Sequence, residues 1–292
     1  MLTTLDHLIV AVNDLERATD CYARLLGRKS WWGGPHPGRG TRNSLFRLDN
    51  TYLELIAPDT DGSNSDGADW LRARLEDAGE GLIGMAFGTE DAEACASQFR
   101  ERGLHATDPV PGSGRDERSG ALREWRTVHL PGSDTRGVLM FAIEHRAPAE
   151  ELVAEPEAAA GVVSGLDHVV VNTADADGAI ELYGHALGIR LALDRTFEKR
   201  GVRLLFFRIG GTTVELAARA GGAAAAQSDP VSDRLWGLAY KVADVDAART
   251  RIAAAGFDVT SVRSGNKSGT RVCSVRADTH GVPTLLIEPA AV

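Results

Sequence analysis

The chain repeats itself at a fixed offset. Leu5-Asp6-His7-Leu8-Ile9-Val10 returns as Leu166-Asp167-His168-Val169-Val170-Val171, and each histidine is followed 47 positions later by a glutamate in a strand-like run, Glu54 and Glu215. The same 161-residue offset joins Tyr22 to Tyr183, Gly27 to Gly188, and Tyr52-Leu53-Glu54-Leu55 to Thr213-Val214-Glu215-Leu216. No net insertion separates the copies, so the chain must build the same unit twice.

The repeat is finer than two halves. Ile83-Gly84-Met85-Ala86-Phe87 and Trp236-Gly237-Leu238-Ala239-Tyr240, offset by 153, open two further units, which close on strands ending in Glu144 and Glu288. Four units of βαβββ type across 292 residues predict an α+β fold of two domains, residues 1–145 and 166–292, joined by an Ala/Glu/Pro-rich linker at 146–165. Each domain is expected to be a curved mixed sheet of about eight strands enclosing a cleft. In the first unit, Leu8, Val10 and Val12 alternate with His7, Ile9 and Ala11, the period of two that sends neighbouring side chains to opposite sheet faces. A helix follows, with Asn13 and Glu16 spaced as a capping box, Leu15, Ala18, Tyr22 and Leu25 on one face, and Gly27 at its end. A short helix is expected at Asp69 to Ala78. His7, Tyr52 and Glu54 then share the face away from the helix and look into one concavity.

Composition sets limits on partners. A net charge of −9 and a pI near 5.4 argue against nucleic-acid or anionic-membrane binding, whose footprint is clustered positive charge. No apolar run approaches the ~18–20 residues of a membrane span, and Asp6, Asp14 and Glu16 interrupt any leader-like segment. The expectation is a cytoplasmic protein, monomer or homodimer, acting on a small molecule. Three scattered cysteines, Cys21, Cys95 and Cys273, give neither a disulfide framework nor a zinc site.

The strand-borne histidine after Leu-Asp, the glutamate on each unit's last strand and the four βαβββ units resemble the vicinal oxygen chelate superfamily, which contains glyoxalase I, extradiol dioxygenases, methylmalonyl-CoA epimerase and the fosfomycin and bleomycin resistance proteins. The first domain, with Gly33-Gly34-Pro35-His36-Pro37-Gly38-Arg39-Gly40-Thr41-Arg42-Asn43 before a strand, is similar to the glyoxalase-like subgroup. The second resembles the generic glyoxalase/bleomycin-resistance domain. The resemblance implies a divalent metal (Mn, Fe, Co, Ni, Zn or Mg) on His7, Glu54, position 84 and Glu144, and less favourably on His168, Glu215, position 237 and Glu288. Positions 84 and 237 are glycine, which leaves one histidine and two glutamates per domain. Such an ion would chelate neighbouring oxygens of a small anionic or carbonyl substrate in an isomerase or lyase reaction, with Glu144 as a cleft carboxylate that moves the proton. The alternatives are a metal-free ligand-binding or resistance protein and an extradiol-type ring-cleaving dioxygenase.

The glycine-rich segment has two readings of its own. It can form a concavity over the cleft mouth in which Arg39 and Arg42 receive an anion and His36 acts as acid, base or substitute ligand, with Asn43, Trp32 and Tyr52 as further substrate contacts. Alternatively it is a tight structural turn. His129 and His280 are expected to be structural or solvent-facing, and His185 to have no role.

Overall fold

The computed structural model describes residues 1–59, 65–146, 159–220 and 232–290. Strand β1 (Leu2–Ala11) sends Leu8 and Val10 to one face, where helix α1 (Leu15–Leu26) covers them with Ala18, Tyr22 and Leu25. The helix is capped by Asp14 in place of the expected Asn13, the Asp14 carboxylate accepting the Arg17 N–H at 3.0 Å. Asn13 instead donates its backbone N–H to Glu80 at 2.7 Å. Gly27 ends the helix at φ 72°, the left-handed geometry that suits glycine. The chain continues through β2 (Trp32–His36), β3 (Thr41–Arg47) and β4 (Tyr52–Pro58). Strand β4 lies parallel to β1, with His7 opposite Tyr52 and Ile9 opposite Glu54.

Helix α2 (Asp66–Ala78) begins three residues before the expected position and enters the concave side, where Leu71 and Leu75 pack on Ile9, Ala11 and Ile83. It closes one end of the cleft. The second unit is β5 (Gly81–Thr89), α3 (Ala92–Glu101), β6 (Val110–Arg115), β7 (Leu122–Leu130) and β8 (Leu139–His145). The eight strands run β2-β3-β4-β1-β5-β8-β7-β6, so the two sequential units pair through β1 and β5, as short connections favour. The edges β2 and β6 then meet. The Gly33 N–H donates to Asp116 Oδ1 and the Glu117 N–H to the Gly33 carbonyl, both at 2.9 Å, which curls the sheet almost into a barrel. A Cβ on Gly34 would lie 2.4 Å from the Arg115 carbonyl oxygen, so glycine is what lets the edges approach. Most of the glycine-rich segment is therefore strand, with a turn only at 37–40.

The second domain repeats the plan: β9 (Val163–Asn172), α4 (Ala176–Ala179) continuing as a π-helix over Ile180–Ala186, β10 (Arg190–Phe197), β11 (Val202–Ile209), β12 (Thr212–Arg219), β13 (Arg234–Val242), α5 (Val245–Ala254), β14 (Arg263–Ser264), β15 (Arg271–Val275) and β16 (Thr284–Glu288). Its order, β10-β11-β12-β9-β13-β16-β15-β14, is that of the first sheet shifted by eight. Strand β9 starts within the expected linker, whose residues 147–158 lie outside the described ones. The helix-covered faces of both sheets contribute to one continuous apolar core. Tyr22 donates its hydroxyl to the Thr279 carbonyl at 3.2 Å, and Asn50 exchanges two hydrogen bonds with the backbone of Leu166 at 2.8 and 3.0 Å. Each concave face points away from that core. Among the described residues no helix is long and apolar enough to cross a membrane.

Candidate functional site

The first sheet encloses a cavity of about 630 Å³ lined by His7, Glu54, His36, Asn43, Tyr52 and Arg39 among the residues expected from sequence. Four of these form one polar network. The half-buried Asp6 carboxylate takes His7 Nδ1 at 2.7 Å on one oxygen and His145 Nε2 at 3.0 Å on the other. Burial alone would raise the Asp6 carboxyl, but the hydrogen bonds and charges of the two histidines outweigh it and hold the group well below the usual carboxylate range. Asp6 orients the His7 ring through Nδ1, which leaves Nε2 directed toward Glu54 Oε2, 3.4 Å away. The His7 ring is stacked on Tyr52 at a centroid distance of 4.5 Å.

Glu54 is held from its other side. Asn43 Nδ2 lies 2.8 Å from Glu54 Oε1 and 3.0 Å from His36 Nε2, while His36 Nδ1 meets the Thr41 hydroxyl at 2.9 Å. Burial pushes the His36 imidazole below its ordinary value, Glu54 opposes this, and Arg39 and His7 add to it. His36 is therefore a neutral ring whose Nε2 accepts the Asn43 amide. Ile9, the cross-strand neighbour of Glu54, and Ile56, Ile83, Leu139, Phe141 and Ile143 complete the lining with apolar side chains. The cavity thus combines an apolar lining with a few convergent hydrogen-bonding groups, the usual form of a small-molecule site.

Three expected residues lie elsewhere. Glu144 is on the helix side of β8, where its Oε2 accepts the Ala92 N–H at 3.0 Å and its other partners are Arg126 and Arg146. The odd-numbered residues of β8 face the cleft, and the one level with His7 is Phe141, 5.6 Å from the imidazole between ring centroids. Arg42 pairs with Glu117 at 3.1 Å outside the cavity, and Trp32 packs behind Leu45 and Tyr52 without lining it. His129, expected to be structural, lines the cavity, with its Nε2 3.1 Å from the Thr127 hydroxyl. Arg123 also lines it, and its strand gave no sign of this in sequence.

The second domain keeps the pair in a more exposed setting, the side chains of His168 and Glu215 each being 17% exposed against 4% and 10% for His7 and Glu54. His168 is held by Asp167 at 2.8 Å and stands 3.7 Å from Glu215, whose carboxyl is raised by burial and by Asp167 against the effect of His168. Glu288 repeats Glu144, its Oε2 accepting the Val245 N–H at 2.9 Å. Leu193 and Trp236 are exposed.

The donor set does not fit the expected metal site. Glu144 cannot join His7 and Glu54 from the opposite face of the sheet, Phe141 occupies its place, and a side chain at position 84 would meet Leu139 about 3.0 Å from its Cβ. Glu54 Oε1 and His36 Nε2 already share the Asn43 amide. Among the described residues no three or more His, Cys, Asp or Glu side chains are grouped to hold an ion.

Comparison with known proteins agrees with this architecture. Residues 5–164 match the family described as Glyoxalase-like domain, and residues 167–273 match the Glyoxalase/Bleomycin resistance protein/Dioxygenase superfamily. No curated protein matches the chain. Among solved structures, a mutant of 4-hydroxymandelate synthase from Streptomyces coelicolor superposes with a TM-score of 0.65 at 16% identity, covering 100% of this chain and 94% of that one. A hypothetical protein from Staphylococcus aureus gives 0.64 at 10% identity over 98% and 99% of the two chains. At these identities the likeness is one of fold. The chain, with both domains built from paired βαβββ units, belongs to the glyoxalase-like domain family of the vicinal oxygen chelate superfamily.

Proposed function

We propose that the protein is an enzyme of isomerase or lyase type that moves a proton on a small carbonyl-bearing substrate in the first domain's cavity. The observation that carries this reading is His7. Its Nδ1 is fixed by Asp6 at 2.7 Å, its Nε2 faces the cavity, and Glu54 Oε2 stands 3.4 Å beyond. A base within reach of substrate, oriented by a third group, with a second proton-carrying group beside it, is what abstraction and return of a proton next to a carbonyl requires. His7 Nε2 takes the proton; Glu54 receives or returns it, its position held by the Asn43 amide. The imidazolium formed on His7 is stabilised by ionised Asp6. Helix α2 and the apolar lining exclude water, which strengthens these charge interactions. The proposal routes no step through a metal: Glu144 and position 84 bring no third ligand to the cavity, and His36 Nε2, which does lie there, 3.6 Å from Glu54 Oε1, is already engaged by the Asn43 amide.

The test is proton exchange. Small carboxylates carrying an α- or β-carbonyl, incubated with the protein in deuterium oxide and followed by NMR, should exchange at the carbon beside the carbonyl. His7→Gln should lower the rate about a hundredfold or more. Binding of such compounds without exchange, with or without added Mn, Fe, Co, Ni, Zn or Mg, would instead identify a sequestering protein. Exchange restored only by an ion would return the metal-dependent reading.

A further inference from the structure

Among the described residues Arg123 is a buried cation that no carboxylate pairs with. It is 6% exposed and lines the cavity from β7. The other buried arginine among the described residues, Arg28, has Asp49 at 3.5 Å and donates to the Val163 carbonyl. Around Arg123 the described residues offer rings: its guanidinium carbon lies 5.3 Å from the ring centres of Trp31 and Trp32 and 5.5 Å from that of Tyr52. Among the described residues its Nε has no hydrogen-bond partner. The Tyr52 hydroxyl takes one hydrogen bond from the guanidinium, and the aromatic faces offset part of the cost of burying a cation, but neither supplies a counter-charge. A charge that is buried without a counter-ion is costly, and such a group at a cavity wall is poised for an anion arriving in the cavity.

We infer that Arg123 receives the carboxylate of the substrate, and that the substrate is a monocarboxylate with an aromatic or branched apolar body. A planar carboxylate matches the guanidinium fork and can take two parallel N–H bonds. The placement also connects to the chemistry proposed above, on which the word substrate rests. The Tyr52 ring stacks on His7 on one side and lies beside Arg123, so a carboxylate at Arg123 sets the atoms a few bonds away over His7 Nε2. The body of the molecule then lies against the apolar lining of Ile9, Leu139 and Phe141. This displaces the anion-receiving role from Arg39, an exposed residue at the cavity edge, and from Arg42, which is paired with Glu117.

Calorimetric titration of the full-length protein with 3-phenylpropionate and with 3-phenylpropionamide tests the inference. The acid should bind about ten- to a hundredfold more tightly than the amide, the range of a charge-assisted pair. Arg123→Gln should abolish that preference by weakening the acid alone, and Arg123→Lys should keep part of it. Equal binding of acid and amide to the unaltered protein, no binding of either, or a preference that survives in Arg123→Gln would overturn it. If Arg123→Gln does not fold, the acid-to-amide ratio of the unaltered protein decides. His7→Gln separates the two readings: it should bind the acid normally while losing proton exchange. An acid preference without exchange in any variant leaves Arg123's role standing and removes the enzymatic one.

Discussion

The carboxylate of Glu144 accepts the backbone N–H of Ala92 at 3.0 Å, at the first turn of α3, and Glu288 does the same for Val245 of α5 at 2.9 Å. The glutamate that closes each domain is thus a cross-strand cap on the helix of its own unit. An anion at a helix N-terminus satisfies an otherwise orphaned donor and opposes the helix dipole.

It follows that Glu144→Gln should cost about 0.5–2 kcal/mol of stability and leave ligand affinity and proton exchange unchanged. Denaturant unfolding paired with the exchange assay reads both quantities. A variant of full stability that has lost exchange would mean Glu144 reaches the cleft after all.

The barrel seam makes a second prediction. A methyl at position 34 would sit 2.4 Å from the Arg115 carbonyl oxygen, whereas one at Gly132 would meet nothing within 4 Å. Gly34→Ala should therefore destabilise the protein by about 1–3 kcal/mol, the usual cost of overpacking, and loosen the cavity. Gly132→Ala should be close to neutral. Equal unfolding midpoints for the two variants would show that the edge strands do not depend on this contact.

What could be read from sequence follows from how far parity can be counted. His7 and Glu54 lie on strands of one unit whose alternation is unbroken between the aligned copies, so their common face was legible. Glu144 lies in the next unit, and β1 and β5 are joined through register shifts at Leu5/His7 and Ile9/Val10, so counting alone does not say which face its strand presents to His7. The helix that Glu144 caps was visible, but the cap spans 52 positions of sequence. Arg123 sits in Leu122-Arg123-Glu124-Trp125-Arg126, where charges occupy both parities and neither face stands out. Its burial is created by Trp31 and Trp32 on the far side of the seam. Likewise Gly33 and Gly34 read as loop residues because the strand that needs their lack of a side chain comes from the other unit.

Two cavity histidines set the mild-acid behaviour. Burial lowers His36, against Glu54 and with Arg39 and His7, and burial and Arg39 lower His129. Each is neutral in the folded protein and takes up its proton more readily when unfolded. Stability is then full above the ordinary value of 6.5 and declines as pH falls below it, by up to about 1.4 kcal/mol per pH unit for each histidine. Urea unfolding between pH 7.5 and 5 should show this slope, and His36→Gln with His129→Gln should flatten it. An unchanged slope in the double variant would assign the effect to other groups.

Asp6 governs both the acid limb and the base. Its carboxyl is held well below 3.8 in the folded protein because the bonds from His145 and His7 outweigh burial. A depressed carboxyl contributes stability that is fully present above the unfolded value and is lost as pH falls through the folded one, so the contribution fades below about pH 4. Asp6→Asn lacks this titration, and its stability between pH 5 and 3 should fall less steeply than that of the unaltered protein. The same change lets an amide donate to His7 Nδ1 and moves the ring proton to Nε2, where it blocks proton abstraction. Exchange at neutral pH should therefore drop about a hundredfold or more although Asp6 never touches the substrate, and binding of 3-phenylpropionate should persist. Nitrogen-15 NMR of the imidazole reports the tautomer directly: a His7 that keeps its proton on Nδ1 in Asp6→Asn, or exchange that survives the substitution, would show that Asp6 does not position the base.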